Sequence, residues 1–589
     1  MGCFQSKASE AVASVAGAKC HEPSAIARTS TKALAMQGGG FHALATDVGL
    51  ISGLLAFTHG DGQTTASLQS LLGDIDYLST GSGSTWFMIS LAYSHTFSAM
   101  VESMGQDLAN AESIFKDKWV TPLKGIETKP DDGKALKQIR DWIEQNVQDE
   151  QQKAGLLEDI DLFSFLISTG VVTWQSFVTQ MLEATAGLDE NAVLGDAVCT
   201  WAAGKTFMIN ASLLVPGRDP LVGSCRLWEK DRKYVGYSVT DPIGTVNNVL
   251  PMAFPVRMSD SSVHLQTADR PLVPGLSQGI TFSYDASEGG SSMKTPRGLI
   301  TSGVNVGRLP VVSVAGASSA AAAPLDILPK SGAHNLTTLM QSLVGFGPAD
   351  LVSAIAADGP LPVLSLPSFA TAAECIRRID QDGPSSSGVQ FLCDNGVVAL
   401  GDSGVTEGTG IGAAIAAGAN EVVAVLNCQN SEHSDWGIYD WTFLFQLFKG
   451  GKPAYPDDAF IFPIFNESVD VIKPDEMSEI TAGSGQNYRE LAGIKLGSVS
   501  VTTSSKGRVY FGIPEGTKVT LHIVNISSKL SIGQMVDTVR FGALAGDIAN
   551  ALGDQAGPNA TIVRETLLPM FRGSLPSLLD SIGRQRMSA

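Results

Sequence analysis

The sequence lacks long apolar runs and an excess of basic residues, and both absences limit what the protein can be. No stretch of about 18 consecutive apolar residues occurs, so a membrane-spanning helix is not expected. The nearest approach, residues 411–426, is interrupted by Asn420 and Glu421 and predicts a buried helix followed by a strand. Lys and Arg number 40 against 59 Asp and Glu, a net charge of −19, which disfavours nucleic acid as a partner.

Paired cysteines and a complete cofactor motif are also missing. The seven cysteines are scattered without Cys-x-x-Cys spacing, which argues against a disulfide framework or a zinc site and favours reduced thiols. A glycine-rich stretch at residues 408–413 resembles a dinucleotide loop, but no acidic residue follows about 20 positions on in a matching setting. Gly-Lys-Thr at residues 204–206 lacks the first glycine of a phosphate-binding loop, because position 199 is Cys. We therefore expect neither a metal nor a cofactor.

The remaining composition predicts a large buried core in an α/β fold. Hydrophobic residues make up 44% of the chain and charged residues 17%, and apolar strand-like runs alternate with helix-like segments. This alternation favours a central, mostly parallel sheet flanked by helices. We expect a flexible tail over residues 1–30 and a single large domain over residues 31–589, in which residues 100–190 form a helical cap or insertion.

Individual strands are predicted along the rest of the chain. Strand-like apolar runs occur at residues 206–214, 311–314 and 422–426. A unit of strand, loop and helix is expected over residues 396–417. Toward the C-terminus, residues 497–525 predict a β-meander with strands at residues 499–503, 509–512 and 519–524.

The most informative motif is Gly-Ser-Gly-Ser-Thr-Trp at residues 81–86. It follows a short apolar run and opens a helix-like segment, an arrangement that raises a serine Oγ out of a tight, strained turn above a sheet. Ser82 is the serine so placed, and Gly81 and Gly83 supply the small neighbours that this elbow requires. The alternative is a flexible Gly/Ser loop without a chemical role.

A second glycine motif, Gly38-Gly39-Gly40, lies upstream between an apolar run and another helix-like segment. Consecutive glycines let backbone N–H groups approach a developing negative charge, and the helix N-terminus behind them adds its dipole. A raised serine and a glycine-rich donor loop, each at a strand-to-helix junction, favour acyl transfer. The three glycines by themselves also fit an ordinary tight turn or a phosphate cradle.

Ser82 needs a base, and Asp402 is the stronger candidate. None of the eight histidines lies in a context that marks it as the partner of Ser82, and His42, just after the glycine loop, is expected on the surface of the next helix. Asp402, in Gly-Asp-Ser-Gly at residues 401–404, follows an apolar strand and precedes a glycine-rich loop, where open α/β sheets carry their sites. The alternative for Asp402 is a helix or turn cap. The same four residues occur in chymotrypsin-like proteases, but the chain has neither their histidine segment nor their cysteine-rich double β-barrel pattern.

The N-terminus matches the pattern for N-myristoylation. Met-Gly-Cys-Phe-Gln-Ser at residues 1–6 offers Gly2 as the acceptor, and Cys3 beside it is a candidate for palmitoylation. The apolar segment of a secretory signal is missing. Because one acyl chain holds a membrane marginally and two hold it stably, we expect a peripheral protein at the cytoplasmic face of a membrane. A chance match in a disordered tail is the alternative.

Three motifs together resemble a known family. Residues 37–44, Gln-Gly-Gly-Gly-Phe-His-Ala-Leu, resemble the Gly-Gly-Gly-aromatic-Arg-Ala loop of the cytosolic phospholipase A2 catalytic domain. Residues 81–86 resemble the Leu-Ser-Gly-Ser-Thr-Trp elbow of that family, and Asp-Ser-Gly at residues 402–404 is similar to its Asp-Ala/Ser-Gly. The motifs follow the family's order and cover roughly residues 32–430. The more distant patatin-like acyl hydrolases share the same Ser–Asp logic.

The resemblance implies an α/β acyl hydrolase that works without histidine. Asp402 would accept the proton of Ser82 as Oγ attacks an ester carbonyl, and would then protonate the departing alkoxide. The N–H groups of Gly39 and Gly40, with Gly38 as a further candidate, would hold the oxyanion. An aspartate is a weak base at its ordinary pKa of about 3.9, so this mechanism requires a desolvated site. The family's calcium-binding C2 module does not fit in 30 residues, which implies a calcium-independent enzyme held to its membrane lipid substrate by N-terminal acyl chains.

Departures from the family pattern keep other functions open. Thr80 stands where the family has glycine, which crowds the elbow, and His42 stands where the family has a phosphate-binding arginine, which makes it a candidate headgroup contact. Residues 411–419 carry no counterpart of a second family arginine. The leading hypothesis is hydrolysis of phospholipid or lysophospholipid esters. The alternatives are an acyl hydrolase or transacylase for another lipid, such as a glycolipid, and a catalytically silent lipid-binding scaffold.

Overall fold

The computed structural model describes the core of the chain in separate ranges. These are residues 31–60, 67–124, 174–189, 192, 199–214, 249–257, 280–281, 283–284, 293–294, 311–319, 364–367, 397–405, 407–429, 441–451, 463–481, 488–511, 513–530 and 538–572. The acylation candidates Gly2 and Cys3, the tail over residues 1–30 and the middle of the expected cap lie outside the described residues.

The described strands form one sheet of thirteen strands whose centre is parallel. The strands are β1 (Lys32–Met36), β2 (Tyr77–Gly81), β3 (Thr206–Leu214), β4 (Val249–Arg257), β5 (Ile280–Thr281), β6 (Ser283–Tyr284), β7 (Met293–Lys294), β8 (Leu364–Pro367), β9 (Val397–Gly401), β10 (Glu421–Gln429), β11 (Ser478–Thr481), β12 (Leu491–Thr502) and β13 (Lys518–Ser528). At the centre the order is β13-β10-β1-β2-β3, and each neighbouring pair is parallel.

Antiparallel strands extend the sheet on both sides of this parallel centre. On one side β13 pairs with β12 and β12 with β11, which makes an antiparallel C-terminal region. On the other side β3 pairs antiparallel with both β4 and β9, and β9 pairs with β8. The predicted α/β fold with a mostly parallel sheet and a C-terminal β-meander is therefore confirmed.

Helices connect and cover the strands. They are α1 (Gly40–Gly60), α2 (Leu68–Leu72), α3 (Ser82–Tyr93), α4 (His95–Gln106), α5 (Ala111–Phe115), α6 (Thr121–Lys124), α7 (Trp174–Ala186), α8 (Val311–Ser318), α9 (Ile411–Ala416), α10 (Thr442–Phe445), α11 (Ser505–Phe511), α12 (Thr538–Gly553), α13 (Ala560–Ile562) and α14 (Leu568–Arg572). Single turns of 3-10 helix lie at Leu108–Asn110, Thr200–Ala202, Ser403–Val405, Val469–Val471 and Pro474–Glu476, and π-helical turns at Lys116–Val120 and Val563–Leu567.

The core is built around β1, β10 and helix α1. The apolar residues of β1 are fully buried, as expected of a parallel strand covered on both faces by helices. Helix α1 packs against α12 on one face of the sheet. Its segment Gly40–His59 is long and apolar enough to cross a membrane by length and composition, but 89% of its most apolar window is buried inside the protein. Helix α1 is thus the central helix of the core.

Two of the predicted strands are wrong. Residues 311–314 belong to helix α8, although the run of valines favours a strand; this segment is buried and packs on α3 and β3, so tertiary packing overrides the β-propensity. Residues 509–511 belong to helix α11, between the antiparallel neighbours β12 and β13. The meander is therefore built from β11, β12 and β13: the predicted strands at residues 499–503 and 519–524 correspond to parts of β12 and β13, and only the middle predicted strand is a helix. The strand at residues 206–214 and the helix and strand within residues 411–426 are confirmed.

The described parts of residues 100–190 are helical, as predicted. The segment from α5 to α6 packs against α12 through α5 and the π-helical turn, and its aromatic residues Phe115 and Trp119 are fully buried and stacked. This part of the segment belongs to the core. Whether residues 100–190 cover the site, and the division of the chain at residues 30 and 31, stay predictions.

Candidate active site

The turn between β2 and α3 places Ser82 at the end of the sheet. Gly81 is the last residue of β2, and α3 begins at Ser82. Among the described residues, Ser82 is the one non-glycine residue with a positive φ, at 49°. A serine held in the left-handed region costs about 1–3 kcal/mol and persists only where the surrounding structure imposes it. The strained elbow expected from residues 81–86 is present.

The elbow is packed directly against the glycine loop. A Cβ atom at Gly83 would collide with the carbonyl oxygen of Gly40, and a Cβ atom at Gly38 would lie 2.7 Å from the Cβ of Ser82. A Cβ atom at Gly81 would collide with the hydroxyl of Ser403. Position 83 therefore requires glycine, because any side chain there would push the glycine loop away from Ser82.

Ser82 and Asp402, 320 residues apart in sequence, are hydrogen-bonded. The Ser82 hydroxyl donates to Oδ2 of Asp402 over 2.8 Å, and the N–H of Gly404 donates to Oδ1 over 2.6 Å. Both side chains are buried, with exposed fractions of 8% for Ser82 and 5% for Asp402. The carboxylate is thus oriented by the backbone on one oxygen and faces the serine with the other.

The path of β9 explains how these two residues meet. Strand β3 continues beyond the end of β2, so that Gly81 lies opposite Asn210 while Ser212 lies further along β3. Strand β9 pairs antiparallel with this extension, with Gly401 opposite Ser212. Asp402, the next residue, therefore lies beside the elbow. The sequence predicted the strand before Asp402 but not its antiparallel direction.

Burial changes the acid–base properties of Asp402. Loss of contact with water raises the pKa of its carboxyl to about 6, although the hydrogen bonds from Gly404 and Ser82 act in the opposite direction. A carboxylate with this pKa is a better proton acceptor than an ordinary aspartate and is still ionised at neutral pH. This is the desolvated setting that a Ser–Asp mechanism requires.

The glycine loop presents backbone N–H groups next to Ser82. Gly39 has a φ of 148° and Gly40, the first residue of α1, a φ of 58°; both values suit glycine. The N–H of Gly38 donates to the carbonyl of Gly408 over 3.2 Å and is therefore occupied. Gly39 and Gly40 stand at the N-terminus of α1, where backbone N–H groups have no partner within the helix. Of the three predicted oxyanion donors, Gly39 and Gly40 are therefore the better candidates.

A buried network of hydroxyl groups supports the elbow from below. The N–H of Ser82 donates to the hydroxyl of Ser318, which in turn donates to the carbonyl of Asn210. The hydroxyl of Thr85 lies 3.1 Å from that of Ser318 and also 3.1 Å from that of Thr80. Thr80, expected to crowd the elbow, is thus accommodated by hydrogen bonds. No sequence signal marked Ser318 or Asn210 as parts of the site.

Glu407 holds the loop that follows Asp402. Its carboxylate accepts hydrogen bonds from the N–H of Thr409 over 3.1 Å and from the N–H of Gly412 over 3.2 Å, and so caps the N-terminus of α9. Burial raises the pKa of Glu407 to about 7. This loop includes Gly408, whose carbonyl binds the glycine loop. An acidic residue close to a helix N-terminus is favoured by the helix dipole, so Glu407 could have been recognised in the sequence.

His42 does not occupy the position that we expected. Its side chain is 7% exposed, so a helix-surface position is wrong. Its Nε2 lies 2.7 Å from the hydroxyl of Ser528, at the end of β13. Burial lowers the pKa of His42 to about 4, so the imidazole is neutral at physiological pH. A buried, neutral imidazole supplies no positive charge to a phosphate, and the role as a headgroup contact has no support.

The incomplete phosphate-loop motif at residues 204–206 has a structural explanation. Lys205, in the incomplete phosphate-loop motif, donates to the carbonyls of Leu72 and Ile75 and closes the end of α2. Within the ranges that the structure describes, no group of three or more His, Cys, Asp or Glu side chains is arranged to hold a metal ion.

Comparison with known proteins agrees with the motifs. Residues 32–178 match the family model of the lysophospholipase catalytic domain. Comparison with curated proteins gave no match. The matched segment contains the glycine loop and the elbow, whereas Asp402 lies beyond it. Over residues 32–178 the chain is similar to the lysophospholipase catalytic domain, which confirms the resemblance found in the motifs and supports a lipid acyl hydrolase.

Proposed function

We propose that the protein is a membrane-anchored, calcium-independent hydrolase that cleaves fatty acyl esters of phospholipids or lysophospholipids. The observation that carries the proposal is the 2.8 Å hydrogen bond from the strained serine Ser82 to Asp402, beside the glycine loop. The lysophospholipase match over residues 32–178 supports the substrate class.

The proposed acylation step uses Asp402 as the base. As the Ser82 oxygen attacks the ester carbonyl, its proton passes to Oδ2 of Asp402, the atom to which it is already hydrogen-bonded. The tetrahedral intermediate then collapses, the bond to the lipid alcohol breaks, and Asp402 returns the proton to the departing alkoxide. The products are the free alcohol and an acyl-enzyme on Ser82.

The negative charge on the former carbonyl oxygen is stabilised by the glycine loop. The N–H groups of Gly39 and Gly40 point from the N-terminus of α1, whose dipole also favours an anion. Each such donor lowers the barrier by roughly 3 kcal/mol in acyl-transfer enzymes. The buried surroundings strengthen these hydrogen bonds because little water screens them.

Deacylation repeats these steps with water as the nucleophile. Asp402, again ionised, takes a proton from a water molecule that attacks the acyl-enzyme, and then gives the proton to the Ser82 oxygen as the fatty acid leaves. In this cycle Asp402 takes up and releases the proton, and backbone N–H groups stabilise the negatively charged oxygen. The proposed mechanism therefore has no step that calls for calcium, and we expect turnover to continue in the presence of EGTA.

A second candidate function is acyl hydrolysis or acyl transfer on a lipid without a phosphate headgroup. The neutral, buried His42 favours it, because the family's phosphate-binding arginine has no charged replacement at this position. A panel of phospholipid, lysophospholipid and glycolipid esters, presented in the same mixed micelles, separates the two candidates. The first predicts that a phospholipid or lysophospholipid gives the highest kcat/KM, and the second predicts a glycolipid.

Membrane attachment is proposed from Gly2 and Cys3. Incorporation of a clickable myristate and a clickable palmitate in cells tests the two sites separately. We expect Gly2→Ala to abolish both labels and to release the protein from membranes, since palmitoylation of Cys3 requires prior contact with a membrane. Cys3→Ser should retain myristate but bind membranes weakly. Full membrane retention of Gly2→Ala would contradict the proposed anchor.

Labelling with a long-chain acyl fluorophosphonate tests the chemistry. We expect the wild type to be labelled, Ser82→Ala to be unlabelled, and Asp402→Asn to be labelled at least about 10²-fold more slowly. Ser90→Ala is the matched control, because Ser90 is a buried serine of the same helix, α3, and its hydroxyl has no hydrogen-bond partner among the described residues. Membrane-bound, folded protein that resists labelling would instead favour the catalytically silent scaffold.

A further inference from the structure

A small buried cluster lies directly behind the glycine loop and is not used by the mechanism above. It consists of Asp47 on α1, Ser84 on α3, and Gln37, the residue between β1 and Gly38. Asp47 is the one Asp or Glu of helix α1, and its side chain has no exposed surface. A lone acidic residue inside a core helix is uncommon, because a buried carboxyl group is rarely tolerated without a partner.

Two short contacts of one hydroxyl group constrain where the protons of this cluster can lie. The hydroxyl of Ser84 lies 2.7 Å from the carbonyl oxygen of Gln37 and 2.6 Å from Oδ2 of Asp47. A carbonyl oxygen can only accept, and a serine hydroxyl has one hydrogen to donate. If that hydrogen goes to Gln37, the short contact to Asp47 needs a hydrogen of its own, which the carboxyl group must supply. Asp47 then donates to Ser84, and Ser84 donates to Gln37.

The surroundings of Asp47 favour the protonated form for independent reasons. None of the described Lys, Arg or His side chains forms an ion pair with it, and the nearest titratable group on its own helix, His42, is neutral. Oδ1 of Asp47 is buried and accepts no hydrogen bond from any described residue, a costly state for an ionised carboxylate. Burial raises the pKa of Asp47 well above its ordinary value.

The carbonyl group of Gln37, at the end of this chain of hydrogen bonds, holds the start of the glycine loop in place. The carbonyl of Gln37 also accepts from Nδ2 of Asn427 over 2.8 Å, and the N–H of Gln37 donates to the carbonyl of Val425 over 2.9 Å. The side-chain Nε2 of Gln37 also donates to the carbonyl of Asn427 over 3.5 Å, so Gln37 is fixed from the β10 side by three bonds and from the α3 side by Ser84. The next residues along the chain are Gly38, Gly39 and Gly40, so the placement of Gln37 sets the direction of their N–H groups.

We propose that Asp47 is a neutral carboxylic acid that, through the hydroxyl of Ser84, holds Gln37 and so positions the glycine loop for oxyanion binding. Asp47 and Ser84 are positioning residues, since neither touches the reacting atoms. This inference rests on the proposed function for its effect on catalysis, whereas the proton arrangement and the order of the loop do not depend on it.

The kinetic test compares Ser84→Ala, Asp47→Leu and Asp47→Asn with the wild type and with the control Ser90→Ala. We expect Ser84→Ala and Asp47→Leu to lower kcat by about 10- to 100-fold with little change in KM, because a displaced oxyanion donor affects the transition state more than substrate binding. Asp47→Asn keeps a neutral donor in the same place, so it should retain activity within about threefold. Ser90→Ala should behave like the wild type. Equal activity of Ser84→Ala and Ser90→Ala would overturn the positioning role.

Two measurements decide the arrangement without using activity. The infrared difference spectrum of wild type minus Asp47→Asn, recorded at about pH 8.5 where ordinary carboxyl groups are ionised, should show the C=O stretch of a protonated carboxyl. Amide hydrogen exchange of peptides covering residues 37–42 should be faster in Ser84→Ala than in Ser90→Ala, and unchanged in Asp47→Asn. A carboxylate band in place of the protonated one would overturn the proposal, even for active enzyme. If the wild type is inactive but both results are as expected, only the proposed function fails.

Discussion

The burial of Asp402 predicts that its replacement by Asn removes activity and at the same time stabilises the protein. Asn has the same shape, its oxygen can still accept from the N–H of Gly404, and its amide can donate to the oxygen of Ser82. It cannot accept the serine proton, so we expect kcat to fall by about 10²- to 10⁴-fold. Both effects follow from one change, the loss of a buried charge.

The size of the stabilisation follows from the pKa. Folding raises the pKa of Asp402 from 3.8 to about 6, so at neutral pH the folded protein bears the cost of an ionised, buried carboxylate. A difference of about two units corresponds to about 3 kcal/mol, and Asp402→Asn should therefore raise the free energy of unfolding by roughly this amount at pH 7. Because the folded state binds the proton more tightly, the cost is absent below about pH 3.8 and is complete above about pH 6.

Thermal scans at a fixed heating rate, across a series of pH values, measure this effect. We expect the Tm of Asp402→Asn to exceed that of the wild type at neutral pH, and the difference to shrink as the pH falls toward 4. Asp475→Asn is the matched control, because it removes the same charge from an exposed position. A Tm for Asp402→Asn at or below the wild-type value at neutral pH, or a difference that does not change with pH, would refute the reasoning from burial.

Three further predictions concern the glycine loop, the pH dependence and His42. Gly83→Ala should abolish fluorophosphonate labelling, because its methyl group would displace Gly40. Gly507→Ala is the control and should leave labelling unchanged, because a methyl group at this helical position meets only ordinary contacts. Labelling of Gly83→Ala would contradict the close packing of the elbow on the glycine loop. The kcat/KM should rise with pH through an inflection near the pKa of Asp402, about 6, and then stay level, and a profile without that inflection would argue against Asp402 as the base. Folding lowers the pKa of His42 from 6.5 to about 4, so its contribution to stability is complete above about pH 6.5 and is lost as the pH falls toward 4. His42→Gln should flatten this part of the plot of Tm against pH. An unchanged plot would show that His42 is not buried in its neutral form.

The local motifs were readable because their chemistry depends on residues that are adjacent in sequence. The elbow at residues 81–86 needs small residues around a serine between a strand and a helix, and these requirements are met within six positions. The glycine loop at residues 38–40 is local in the same sense. The strand before Asp402 was also predicted, so the sequence indicated all three parts of the site, though not the distance between them.

Secondary structure was less predictable where burial and propensity disagree. The valines of residues 311–314 favour a strand, but the segment forms helix α8 because its apolar surface is covered by α3 and β3. Helix α1 shows no long uninterrupted apolar run in sequence, yet it is almost wholly buried, since His42, Asp47 and Ser52 have hydrogen-bond partners on other elements. Such partners come from distant parts of the chain and cannot be seen in a local pattern.

The sequence by itself determined the strand-to-helix junctions, the nucleophile candidate Ser82 and the glycine donor loop, because each depends on backbone requirements within a few residues. Only the tertiary structure decided that Asp402 meets Ser82, through the antiparallel pairing of β9 with the extension of β3. It also decided that His42 is buried and neutral, and that Ser84 joins Asp47 to Gln37. These properties arise from desolvation and from contacts between residues tens to hundreds of positions apart, and only the folded chain creates both.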